Sequence, residues 1–160
     1  MSNILIITCA VDRVFIFAPF KITMVYITRR EQFSAAHKLF REDWSAEKNN
    51  EVFGKCANPN WHGHNYQLFV TVKGEQNPDT SFVVNLSHVS DVVREKVISK
   101  LDHRNVNLDV DFMKGKLAST ETLAVEIWKQ IEIPIRKLGC ELHCVKIQET
   151  ENNYVEYFGK

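Results

Sequence analysis

Polar and apolar residues alternate most cleanly between His62 and Lys73. His62, His64, Tyr66, Leu68, Val70 and Val72 share one parity, while Asn65, Gln67, Phe69, Thr71 and Lys73 share the other. Successive side chains of a strand point to opposite faces. The run therefore predicts a strand over 62–74 with one apolar face, closed by Gly74. From Val25 the odd positions Val25, Ile27, Phe33, Ala35 and His37 lean apolar, with Arg29 and Glu31 interrupting. That pattern predicts a strand over 24–37 with a bulge or kink in its middle. Residues 38–60 are mixed and polar, and read as a long loop with room for one helical turn. Loops of that length are uncommon in compact domains and usually functional. Asn77-Pro78-Asp79 signals a turn, after which Phe82–Leu86 reads as a short strand completing a hairpin.

The period then changes. Val89, Val92, Val93, Val97 and Leu101 recur at helical spacing and predict a helix over 87–100. Residues 102–118 are irregular. Ser119-Thr120-Glu121 supplies capping hydroxyls and an acid for a second helix. Leu123, Ala124, Ile127, Trp128 and Ile131 form its stripe, and Pro134 helps to end it. Strands over 141–150 and 153–158 make a final hairpin around Glu151-Asn152-Asn153. The order is that of an α+β fold, an antiparallel sheet with two helices on one face.

A chain of 160 residues suits one domain with a sizeable core. Its 20 Lys+Arg balance 20 Asp+Glu without a basic block. Such neutrality argues against a nucleic-acid partner or an anionic membrane surface. Cys9, Cys56, Cys140 and Cys144 form no CxxC motif, which favours a reducing, cytosolic compartment. In residues 1–23 the apolar runs Ile4–Ile7 and Val14–Phe20 are separated by Asp12 and Arg13. Neither approaches the roughly 18 residues of a membrane span. No basic residue precedes Arg13, as a signal peptide would need. Residues 1–23 therefore read as an extension outside a 24–160 domain, with Met24 an alternative start.

Burying two imidazoles on one strand face is costly unless something pairs with them. A divalent metal ion answers that, since neutral imidazole is the commonest protein metal ligand. An HxH pair can also be two surface histidines, but the apolar continuation of this face argues otherwise. His37 ends a neighbouring apolar parity and is the best third ligand. Three histidines with an open fourth position describe a catalytic zinc site. His88 and His143 read as structural. Cys56 is either a small buried hydrophobe or, beside a cation, a thiolate able to act as a base. Asp102-His103 is its natural partner, although a histidine closing a helix also simply complements the dipole. Glu149 shares parity with His143, Val145 and Ile147. It either reaches solvent at the hairpin or meets a ligand with adjacent N–H donors, such as a 2-aminopyrimidinone edge.

Phe33-Ser34-Ala35-Ala36-His37, Phe53-Gly54-Lys55-Cys56 with Asn58-Pro59-Asn60, and His62-Gly63-His64-Asn65-Tyr66 stand in order along the chain. Leu101-Asp102-His103, Ser119-Thr120-Glu121, and Glu149-Thr150 with Asn152-Asn153 follow. Together these blocks resemble the 6-pyruvoyltetrahydropterin synthase family from about Val25 to Gly159. The resemblance implies the tunnelling fold: a four-stranded antiparallel sheet with two helices, assembled as two stacked trimers in a homohexamer. It implies Zn2+ on His37, His62 and His64, with Cys56 as proton acceptor. Asp102 and His103 would form a relay from a neighbouring subunit, and Glu149, with Thr120 beside it, would anchor the pterin ring. The implied reaction converts 7,8-dihydroneopterin triphosphate to a dioxo product and triphosphate, without a redox cofactor. The alternatives are the related 6-carboxytetrahydropterin synthase activity, or an inert zinc- or pterin-binding homologue. Retention of Cys56, Asp102 and His103 together argues against the latter. Trp61 stands where the family pattern has glycine, and His88 where a carboxylate is usual.

Overall fold

The computed structural model describes residues 23–160, and the sequence reading of the N-terminal extension falls almost wholly outside them. Strand β1 (Met24–His37) pairs antiparallel with β2 (His62–Glu75) without interruption, from Met24 opposite Glu75 to His37 opposite His62. No bulge interrupts β1 in this pairing. Glu31 keeps its inward parity because Ser90, Arg29 and Arg94 all donate hydrogen bonds to its carboxylate. β4 (Glu141–Gln148) adds to β2, and β5 (Tyr154–Tyr157) to β4. A two-residue strand β3 (Arg104–Asn105) lies parallel to β1, giving a five-stranded sheet in the order β3-β1-β2-β4-β5. The four strands that the family resemblance implied thus gain a fifth, too short to leave a periodic signal.

The segment read as a long loop holds a two-turn helix, α1 (Ala46–Phe53). Buried Asn49 organises it, accepting from the Arg41 N–H and donating to the carbonyls of Arg41, Trp44 and Ser45. The expected strand at 82–86 is absent. Val83 and Val84 do pack on the core, but the Asn85 side chain caps helix α2 (Leu86–Val93), so the backbone turns into a helix. A π-helical turn (Arg94–Ile98) joins α2 to one last turn, α3 (Ser99–Leu101). Val89, Val93, Val97 and Leu101 are all fully buried along this continuous rod.

Ser119 caps α4 (Thr120–Arg136) through Thr122 N–H. Pro134 does not end it, since in the last turn a proline deprives only one carbonyl of its partner. Leu123, Ala124, Ile127, Ile131 and Ile135 face the sheet with Leu68, Val70, Val72, Val145 and Ile147, and this layer is the core. Between Cys144 opposite Thr71 and Leu142 opposite Val72, His143 is an extra residue. The parity expected to run from His143 to Glu149 is broken there. His143 packs instead on Tyr26 and Phe158.

Candidate active site

The end of the β1–β2 ladder gathers three imidazoles. His37 stands opposite His62, and His64 opposite Ala35, whose small side chain leaves room for the ring. Ring centroids lie 4.4 Å apart for His37 and His62, 5.2 Å for His37 and His64, and 5.1 Å for His62 and His64. One ligand nitrogen from each falls within 4.8 Å of the others. Between the ligands, a Cβ at Gly63 would meet the Ala35 carbonyl oxygen at 3.1 Å, so close strand approach favours glycine.

Hydrogen bonding leaves the group unfinished. His37, 3% exposed, donates Nδ1–H to the Ala118 carbonyl at 2.8 Å, which leaves Nε2 as the lone-pair nitrogen. His37 Nε2 and His62 Nδ1 are buried without hydrogen-bond partners. Burial lowers the pKa of all three histidines, against the pull of the Glu149 charge. Neutral imidazole, with one ring oriented by a backbone carbonyl, is the form that ligates a metal ion. The donor set fits a divalent cation, which would satisfy nitrogens that are otherwise costly to bury.

Glu149 follows β4, its N–H donating to the Asn153 carbonyl at 3.1 Å. Its Oε1 accepts from the Thr120 hydroxyl at 2.8 Å and lies 3.5 Å from His37 Nε2 and 3.6 Å from His64 Nε2. The Tyr66 hydroxyl is buried without a hydrogen bond. Burial, then the Glu149 charge, push its pKa up, so it stays protonated. Cys56 sits in a 3-10 turn after α1, and its carbonyl accepts from Leu39 N–H at 2.8 Å, two residues past His37. His37, Cys56, Thr120 and Glu149 line one cavity of about 280 Å³.

Asp102 and His103 lie elsewhere. Ser34 N–H donates to Asp102 Oδ1 at 2.8 Å, and His103 N–H donates to the Ser34 carbonyl at 2.6 Å. His103 Nδ1 stands 3.0 Å from Asp102 Oδ2. The Ser34 N–H, then the His103 contact, hold the Asp102 carboxyl below its ordinary range. The His103 side chain is 82% exposed, and the pair lines cavities with Ser34 and Asn65 that do not include Cys56. Within one chain, then, His37 shares a cavity with Cys56, Thr120 and Glu149, and His62 and His64 group with His37, while His103 lines a different cavity, beside His64. His88 and His143 stand outside the imidazole group. Sequence reasoning missed the Ala118 carbonyl, which no side-chain pattern could mark. It also left Tyr66 as an apolar position, although its shared parity with His64 was the available signal.

Fold and site define an α+β protein with a candidate three-histidine metal centre beside a thiol and a carboxylate. A family model described as 6-pyruvoyl tetrahydropterin synthase matches residues 26–160. The chain is 42% identical over 136 residues to the 6-pyruvoyl tetrahydrobiopterin synthase of Dictyostelium discoideum, covering 85% of this chain and 97% of that protein. It is 42% identical over 134 residues to the protein of that name from Homo sapiens, covering 84% and 91%. The solved 6-pyruvoyl tetrahydropterin synthase of Caenorhabditis elegans superposes with TM-score 0.81 at 35% identity, over 88% of this chain and 99% of that one. The chain belongs to the 6-pyruvoyl tetrahydropterin synthase family.

Proposed function

We propose that this chain is a zinc-dependent lyase converting 7,8-dihydroneopterin triphosphate to 6-pyruvoyltetrahydropterin and triphosphate, in tetrahydrobiopterin biosynthesis. One observation carries the reading. In a chain of this family, three imidazoles gather around His37, which shares a cavity with the Cys56 thiol and the Thr120-bonded Glu149 carboxylate.

His37, His62 and His64 would hold the zinc ion, which would supply Lewis-acid polarisation of the substrate's side-chain hydroxyls and so make the adjacent C–H bonds more acidic. Glu149, steadied by Thr120, accepts two parallel N–H bonds from the 2-aminopyrimidinone edge and so orients the side chain. Cys56, as thiolate, removes a side-chain proton. His103 of a neighbouring copy, held by its own Asp102, carries protons between Cys56 and solvent. The C–O bond to triphosphate breaks and the carbon that carried it becomes a methyl group, the ring gains two hydrogens, and the two side-chain alcohols become carbonyls. Electrons balance within the substrate, so no external redox partner is needed.

Two features support a site shared between neighbouring copies, as in the homohexamer we propose. The Asp102-His103 pair is presented outward, and the cavity of about 280 Å³ falls just below the usual ligand-pocket range of roughly 300–1,000 Å³. No helix among the described residues is long and apolar enough to cross a membrane. Cys56, Cys140 and Cys144 are free thiols, in keeping with the proposed cytoplasmic setting.

Chelator-stripped protein should release no triphosphate from the substrate, and added zinc should restore release. Equal turnover with and without zinc would overturn the metal's part in this reading.

A further inference from the structure

Trp61 adopts φ +67°, a left-handed conformation that glycine enters freely and that costs a tryptophan. It is also the residue immediately before His62. The β1–β2 register, continued one step beyond His37 and His62, would place Lys38 opposite Trp61. That step has no ladder bond. Both main-chain polar groups of Lys38 are taken by Asn107, whose Oδ1 accepts from Lys38 N–H at 3.1 Å and whose Nδ2 donates to the Lys38 carbonyl at 3.0 Å. Trp61 N–H turns back to the Asn58 carbonyl at 3.1 Å.

Side chains bridge the gap instead. The Lys38 ammonium lies 4.6 Å from the centroid of the Trp61 ring and 4.8 Å from that of Phe40. Both distances fall inside the roughly 6 Å reach of a cation–π contact. Strand ends fray where backbone pairing stops, and here the fraying end carries two of the three candidate ligands. We propose that Trp61 is a positioning residue for the metal centre: its indole, clasped on Lys38 one step beyond the ladder, holds His62 opposite His37 in the last pair. The inference rests on reading the three histidines as a metal site. It gives Trp61 a task that repays the strained backbone.

The test measures zinc affinity of metal-free protein by competition with a chromophoric chelator, alongside its thermal midpoint without metal. Trp61→Gly relieves the φ strain while removing the indole. Its metal-free midpoint should hold or rise while zinc affinity falls about tenfold, the low end for a residue supporting a ligand. Lys38→Gln should show the same loss, and Lys38→Arg and Trp61→Phe, which keep a cation and an aromatic face, should recover most of it. Zinc affinity of Trp61→Gly within about twofold of wild type overturns the inference, as does a Lys38→Gln defect confined to thermal stability. If the wild-type protein binds no zinc, the metal-centre reading falls and this inference with it. If it binds zinc and Trp61→Gly matches it, this inference alone falls.

Discussion

The Thr120 hydroxyl donates to Glu149 Oε1 at 2.8 Å, and that same oxygen stands 3.5 Å from Nε2 of His37. One carboxylate therefore ties the first residue of α4 and the turn after β4 to the end of β1. If Glu149 holds the pterin edge, Thr120 fixes its orientation. Thr120→Val should raise KM by roughly tenfold, the scale of a hydrogen bond to a charged group. Zinc content should not change. Steady-state kinetics with metal analysis checks this, and an unchanged KM would remove Thr120 from substrate binding.

His64→Ala should lose zinc and turnover together, because two imidazoles leave the site short of ligands. Elemental analysis of the purified variant decides the matter. Full zinc occupancy in His64→Ala would remove His64 from the ligand set.

Glu31 bears on stability rather than chemistry. Burial acts to raise its pKa, but hydrogen bonds from Ser90, Arg29 and Arg94 outweigh that and hold it below the ordinary glutamate range. The folded chain thus binds this proton less readily than the unfolded one. Its contribution is complete above the unfolded value near ~4.3 and is lost as pH falls through the lower folded value. At pH about 6, Glu31→Gln should be less stable by roughly 1–3 kcal/mol. The two proteins should converge towards pH about 3 as the wild-type carboxylate protonates. Thermal or denaturant midpoints across that range test it, and a gap that does not narrow contradicts it.

Cys56→Ala and His103→Ala should each keep zinc and lose roughly 10²–10⁴ of turnover. Because Cys56 and His103 line separate cavities of one chain, mixing the two inactive variants under subunit exchange should restore part of the activity. Some interfaces would then join an intact Cys56 to an intact His103. Mixed oligomers confirmed by mass yet wholly inactive would contradict a site shared between copies.

Periodicity made the larger elements legible. The parity from His62 through Val72 marked the inward face of β2, and odd positions from Val25 led to His37, so all three candidate ligands could be read before any contact was known. What escaped was short or depended on distant partners. β3 has two residues, and the fate of 82–86 was decided by Asn85 capping α2. The extra residue at His143 is visible only against β2. At Trp61 a departure from the family pattern was plain in the sequence, but its left-handed backbone and its hold on Lys38 belong to the folded ladder end. The Ala118 carbonyl that orients His37 carries no residue identity at all.

The most direct measurement is turnover of 7,8-dihydroneopterin triphosphate by the zinc-loaded protein, with the product identified by mass. The proposed lyase forms 6-pyruvoyltetrahydropterin and one triphosphate per substrate consumed, and Cys56→Ala forms little of either. A 6-carboxytetrahydropterin product would contradict the assigned reaction, and zinc-loaded protein that binds the substrate without turning it over would contradict catalysis altogether.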